Sequence, residues 1–276
     1  MTIKELYAYC SSELSFTECG DFEAMCIFND ILGFTKEQII LNNQAVTSFH
    51  QEKVDDVINR RKNGEPLQYI LGKWDFYDLS FSVGEGVLIP RPETEILVDF
   101  ALEKLRNVKN PVVYDLCSGS GCIGLTIAKH LKDSEVFLLE KEDKALKYLL
   151  KNKEDLKLQN VTVINDDLFT VDLSLFPECD LILSNPPYVM TDEIDNLQKE
   201  VLFEPLTALD GGRDGYDFYR CLSERWCSKV KKNGYIAMEC GEEQSKQIIE
   251  LFNGKYNESN IIFDFNNIDR VVTFRI

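Results

Sequence analysis

Residues 112–131 read VVYDLCSGSGCIGLTIAKHL. Val112 to Leu116 form a nearly unbroken apolar run and predict a buried strand, and Gly121 to Leu131 predict a helix. The turn between them is rich in glycine, so its backbone can approach a ligand closely and present free N–H groups to it. Gly119, Gly121 and Gly124 carry the G-x-G-x-x-G spacing. A pyridine-nucleotide loop and a plain strand–turn–helix corner both share that spacing.

Outward from this corner the chain alternates. EVFLLE (135–140), VTVIN (161–165), DLILSN (180–185) and GYIAMEC (234–240) read as strands. Lys144 to Leu158, Tyr216 to Val230 and Glu242 to Asn253 read as helices. Alternation of this kind predicts βαβ units and a doubly wound, mainly parallel, Rossmann-like α/β sheet. IIFDF (261–265) and VVTFRI (271–276) follow with no helix between them, which predicts an antiparallel hairpin at the C-terminal end. On the N-terminal side, Pro92-Glu93-Thr94-Glu95 opens an amphipathic helix carrying Ile96, Leu97, Phe100, Ala101 and Leu105, with proline and acids in its first turn.

Residues 1–63 predict a small helical bundle. Ile3, Leu6, Tyr7 and Cys10 share one helical face; Phe22, Met25, Cys26, Asn29 and Leu32 share a second, which ends at Gly33. A third helix spans 35–41, and a fourth, about 47–62, turns Phe49, Val54, Val57 and Ile58 inward. Residues 64–92 change to glycine and proline punctuation with alternating Phe76, Leu79, Phe81 and Val83, and predict a strand pair leading into Ile89-Pro90-Arg91-Pro92. The expected division is therefore 1–63 helical domain, 64–92 linker and hairpin, and 93–276 sheet domain.

Three places on the sheet domain carry chemistry. Asp115 sits at the mouth of the glycine turn, where a phosphate would be repelled; a positively charged amino group, such as that of S-adenosylmethionine, suits it better. Glu140 ends the second strand 19 residues after Gly121, the place where an acid accepts from ribose hydroxyls in doubly wound folds. Asp166-Asp167-Leu168-Phe169 follows the third strand, where Asp167 and Leu168 would edge and face an adenine; two adjacent acids also suit a solvated turn. Ser184-Asn185-Pro186-Pro187-Tyr188 ends the fourth strand. Its two prolines hold carbonyls rigidly and donate nothing. The Asn185 side-chain carbonyl and the Pro186 backbone carbonyl make a pair of acceptors for a planar –NH2 group, and Tyr188 offers a face for stacking it.

The composition narrows the substrate. The chain has 276 residues and a net charge of −17, from 30 Lys and Arg against 47 Asp and Glu. Residues 1–73 hold 7 basic and 11 acidic side chains, and residues 74–276 hold 23 and 36. An acidic surface repels polyanions, which argues against a nucleic-acid substrate. No apolar run approaches the length of a membrane span, and the first residues lack a secretory apolar core. The nine cysteines are irregularly spaced with no C-x-x-C, so reduced thiols in a cytoplasmic protein are expected, with neither a disulfide framework nor a metal site.

The loop, NPPY and PLQYILGKWDFYDLSFSVGEGVLIPRPETE (66–95) together resemble the protein-(glutamine-N5) methyltransferases of the HemK/PrmC type, with Glu204-Pro205, Leu209 to Gly212 and Asp214-Gly215 adding to the likeness. The resemblance implies a methyl transfer from S-adenosylmethionine to the glutamine of the GGQ motif in bacterial class I peptide chain release factors. It implies that Cys117, Ser118, Gly119, Ser120 and Gly121 wrap the methionine end of the cofactor, that Glu140 holds the ribose, and that Leu168 lies against the adenine. Asn185, Pro186, Pro187 and Tyr188 would form the glutamine pocket. The sequence departs from the family in Cys117 where Gly is frequent, Glu140 where Asp is frequent, and Leu168 where an aromatic is often seen. NPPY alone is shared with enzymes that methylate amino groups of adenine or guanine, which is the alternative reading.

Overall fold

The computed structural model describes residues 1–41 and 45–276. The chain divides into two units, residues 1–73 with 199–203, and residues 74–198 with 204–276.

The first unit is helical: α1 (Ile3–Glu13), α2 (Gly20–Asp30), α3 (Lys36–Leu41), α4 (Ser48–Lys62) and the short α5 (Leu67–Leu71). Thr2 and Glu5 close a reciprocal capping box on α1, each satisfying a main-chain N–H of the other. Ile3, Leu6, Cys10, Ala24, Ile27, Phe28, Val54 and Val57 are buried. Of the residues expected inside, Asn29, Phe22 (57%) and Phe49 (54%) are exposed, and Tyr7, Met25, Cys26 and Leu32 are half-buried. On α2 the buried face is Gly20, Glu23, Ala24, Ile27 and Phe28. Periodicity misplaced it because Glu23 counts as polar in the pattern, yet it lies inside as the partner of buried Arg61. The unit reaches Lys73, with α5 packed on α2 and α4. Pro66 starts α5 and Gly72, at φ +73°, stops it.

A hairpin, β1 (Lys73–Phe76) and β2 (Leu79–Ser82), opens at Lys73 of the first unit, and in the second a 3₁₀ turn, Pro92–Thr94, and α6 (Glu95–Leu105) follow it. The remaining elements are β3 (Val112–Leu116), α7 (Cys122–His130), β4 (Glu135–Glu140), α8 (Asp143–Asp155), β5 (Val161–Asn165), β6 (Cys179–Ser184), α9 (Asp217–Cys221), β7 (Val230–Glu239), α10 (Ser245–Leu251), β8 (Glu258–Phe263) and β9 (Asp269–Arg275). They build a seven-stranded sheet in the order β5-β4-β3-β6-β7-β9-β8. The first five strands are parallel, and β9 runs antiparallel between β7 and β8. Val113, Leu138 and Leu183 enter the apolar core on one face, with α6 and α7; Tyr114, Leu139 and Ile182 enter the other, with Trp226. Burial on both faces explains why these strands read as continuous apolar runs.

One helix expected over 216–230 is broken. After α9 the backbone widens into a π turn over Leu222–Trp226 and tightens over Cys227–Lys229. Trp226 is fully buried and donates its indole N–H to the Leu168 carbonyl at 3.2 Å.

β3 pairs with β4 on one side and β6 on the other, so the winding direction reverses there. A crevice opens at the carboxyl ends of the strands at such a switch point. The loops after β3, β4, β5 and β6 all emerge at that edge.

Candidate active site

A cavity of about 280 Å³ occupies that edge. Cys117, Ser118, Gly119 and Ser120 line it from the loop after β3, Glu140 from the end of β4, Asp167 and Leu168 from the loop after β5, and Asn185 and Pro187 from the end of β6. Asp115, Gly121, Pro186 and Tyr188 lie outside the lining.

The loop owes its path to left-handed backbone at Cys117 (φ +63°), Gly119 (+56°) and Gly121 (+81°). A Cβ at Gly119 would meet nothing within 4 Å, so glycine serves the backbone angle there, not a lack of room. Cys117 adopts the same region with a side chain, where an L residue is ordinarily disfavoured. Gly119 donates its N–H to Glu140 Oε2 at 2.7 Å, and Glu142 donates to Oε1 at 2.8 Å. The carboxylate is thereby fixed at the cavity wall. Burial pushes its pKa up, against the pull of these main-chain donors.

Asp115 is placed differently from its sequence reading. It is fully buried behind the wall, where Oδ2 accepts from the Gly124 N–H at 2.9 Å and Oδ1 has no hydrogen-bond partner. Burial raises its pKa to about 7. Its geometry is that of a cap beneath the first turn of α7, not of a group facing a cofactor amine. Gly124 allows this approach, since a Cβ there would sit 2.9 Å from Oδ2.

The NPPY segment is held from several sides. Ser184 Oγ donates to the Leu116 carbonyl at 2.7 Å, tying β6 to β3. Gln244 Nε2 donates to the Tyr188 carbonyl at 3.0 Å. Val189 donates to the Leu209 carbonyl and Gly211 to the Val189 carbonyl, at 2.9 and 2.8 Å. A Cβ at Gly211 would stand 2.8 Å from Tyr188 Cα and 2.9 Å from the Pro187 carbonyl oxygen. The Leu209-Asp210-Gly211-Gly212 run is therefore the floor on which the motif lies. Arg91, also on the cavity wall, pairs with buried Glu204, whose other oxygen accepts from the Ile89 N–H at 3.0 Å.

Residues 5–72 match the family model described as PrmC N-terminal domain, and residues 93–212 match the Methyltransferase small domain. A release factor glutamine methyltransferase of Thermodesulfovibrio yellowstonii is 41% identical over 255 residues, covering 91% of this chain and 90% of that one. The chain belongs to the release factor glutamine methyltransferase family. A relative of the same name from Clostridium botulinum is 34% identical over 282 residues, covering 100% and 99% of the two chains. Among solved structures, a methyltransferase from Pyrococcus furiosus superimposes with a TM-score of 0.55 at 15% identity, over 83% of this chain and 98% of that one, a likeness of fold.

The residues lining this methyltransferase's cavity fit S-adenosylmethionine, the cofactor of the reaction. Glu140 and Asp167 bring carboxylates to its wall, and buried Leu168 brings an apolar face. Phe169, edge-on to Phe218 at 5.1 Å between centroids, adds an aromatic surface to the same wall. Two residues of this methyltransferase escaped the sequence reading. Asn185 donates through Nδ2 to Thr94 Oγ1 at 3.2 Å, and Thr94 donates to Glu239 Oε2 at 2.6 Å. Glu239 is 2% exposed, and burial lifts its pKa to about 7. The signal was a lone acid in the apolar strand GYIAMEC.

Proposed function

We propose that this enzyme transfers the methyl group of S-adenosylmethionine to the side-chain amide nitrogen (N5) of the glutamine in the GGQ motif of class I peptide chain release factors, in the cytoplasm. The observation that carries the reading is Asn185, on the wall of the same cavity as the glycine loop and Glu140. The loop Cys117–Ser120 would hold the methionine end, Glu140 the ribose, and Asp167 with Leu168 the adenine. When bound, the cofactor supplies an electrophilic methyl on a positively charged sulfur.

The amide nitrogen of glutamine is a weak nucleophile because its lone pair is delocalised. The Asn185 side-chain carbonyl and the Pro186 backbone carbonyl would accept its two hydrogens and fix it in line with the methyl, while Pro187 and Tyr188 confine the amide plane. Orientation of this kind is worth effective molarities of about 10⁵ M or more. No base need act beforehand, and neither histidine is placed for it: His50 belongs to α4, and His130 pairs with Asp78 at 2.9 Å. The proton leaves the cationic product after transfer.

The cavity wall favours a protein substrate over the nucleic-acid alternative. Glu140, Glu142, Asp166, Asp167 and Asp210 line it against Arg91 and Lys141, an acidic setting for a cation and a poor one for phosphates. Labelled cofactor offered with release factor, DNA and RNA tests the reading: methyl is expected in the factor, and methyl in nucleic acid alone would overturn it. Asn185→Ala is expected to lower turnover about 10²–10³-fold while cofactor affinity stays near normal. We assign residues 1–63 to docking of the factor, 64–92 to a connecting hairpin and 93–276 to the transfer. Hydrogen exchange of the full chain checks the first of these, with protection expected in α1 to α4 when the factor binds.

A further inference from the structure

Glu239 is an expensive residue for a structural position. Its carboxylate is buried, and among the described residues it forms no ion pair with a basic side chain. An apolar residue of similar size would avoid the desolvation cost. What the carboxylate does have is a 2.6 Å bond from Thr94, itself 2% exposed, and Thr94 in turn meets Asn185.

The order of donors along this chain follows from counting protons. When ionised, Glu239 accepts only, so Thr94 then spends its one hydroxyl proton on it. Thr94 can then only accept from Asn185, which must turn its –NH2 end toward the hydroxyl. The Oδ1 end remains to meet whatever enters the cavity. An asparagine amide has nearly the same shape in both orientations, so packing alone does not select between them. With the –NH2 end presented instead, a substrate amide would meet two donors and be repelled.

We propose that Thr94 and Glu239 are positioning residues that fix the Asn185 amide with its carbonyl toward the substrate. This rests on the reading of Asn185 as the acceptor for the glutamine amide. The three residues come from the turn before α6, the end of β6 and the end of β7, so the dyad is also where three segments of the sheet unit converge.

Three variants of the full-length enzyme, assayed on an intact release factor, test it. Thr94→Val keeps the shape and removes the hydroxyl; kcat is expected to fall about 10–100-fold, as for other orienting partners, with cofactor affinity by calorimetry within about twofold. Thr94→Ser restores the hydroxyl and is expected to return kcat to within about threefold of the parent. Glu239→Gln can donate to Thr94 and so lets the chain run in either direction; kcat is expected to drop about tenfold with KM for the factor little changed. Thr94→Val turning over at the parental rate, or Thr94→Ser failing as badly as Thr94→Val, would overturn the proposal. If Asn185→Ala is inactive while Thr94→Val is fully active, the orienting role falls and the acceptor reading stands. If Asn185→Ala is active, the acceptor reading falls first. Should Thr94→Val fold poorly, the ratio of kcat for Thr94→Ser and Glu239→Gln decides.

Discussion

Glu23 and Glu239 are both buried acids, one in the helical unit and one in the sheet unit, and they are partnered in opposite ways. Glu23 is clasped by Arg61 through two bonds of 2.8 Å, and the same guanidinium reaches Glu200 at 2.8 Å and the Glu65 carbonyl at 2.6 Å. Glu239 accepts from a neutral hydroxyl and keeps an elevated pKa. The first arrangement neutralises a charge and fastens four pieces of chain with it. The second gives its acid a hydroxyl partner in place of a cation, and the ionised form sets the direction of a hydrogen-bonded chain. Burial of an acid is thus a sign of function only after its partner has been identified.

The comparison breaks most visibly at Arg61. Arg61→Ala leaves Glu23 buried and unpaired, and a loss of about 3–5 kcal/mol in urea unfolding is expected, whereas replacing both residues by apolar ones should recover most of it. A single variant close to the parent would show that the clasp holds nothing.

Next comes the pH response of Glu239. Its folded value is raised from 4.5 to about 7, so the native state binds its proton more tightly than the unfolded chain does. The resulting stabilisation is complete below pH 4.5 and is lost as pH rises through about 7. This amounts to about 3 kcal/mol between those limits. Glu239→Gln should remove that part of the slope, and unfolding curves between pH 4 and 8 that superimpose for both proteins would contradict it. Asp115→Asn should remove a further part of the slope, because Asp115 is raised in the same direction by the same cause.

The smallest effect is expected at the surface. Arg220 pairs with Asp214 and Asp217 in the open, with 38% of its side chain exposed. Arg220→Ala should change stability by less than about 1 kcal/mol, since solvent already screens these charges. A larger loss would erase the distinction between clasped and exposed pairs.

What the sequence discloses follows the same division. The strands over 135–140 and 161–165 are found at their expected limits, because each is an apolar run long enough to be read locally. Cys117 to Ser120, Glu140, Asn185 and Pro187, picked out as short motifs at strand ends, share one cavity wall. Thr94 was not picked out: it reads as part of a helix start, and its partners lie 91 and 145 residues away. The face of α2 was misread for a related reason. Glu23 owes its burial to Arg61, 38 residues on, and no local pattern reports such a pairing. Asp115 shows the converse, a motif residue found behind the wall because Gly124 lets the helix settle onto it.

Residues 199–203 belong to the helical unit although the chain on either side belongs to the other. The backbone therefore passes from one unit to the other three times, at 73–74, 198–199 and 203–204. A segment joined at one seam can be exchanged between proteins as a cassette; this one cannot. Any graft that replaces residues 1–73 alone must bring a guanidinium to the place of Arg61, or leave Glu200 behind without its counterpart.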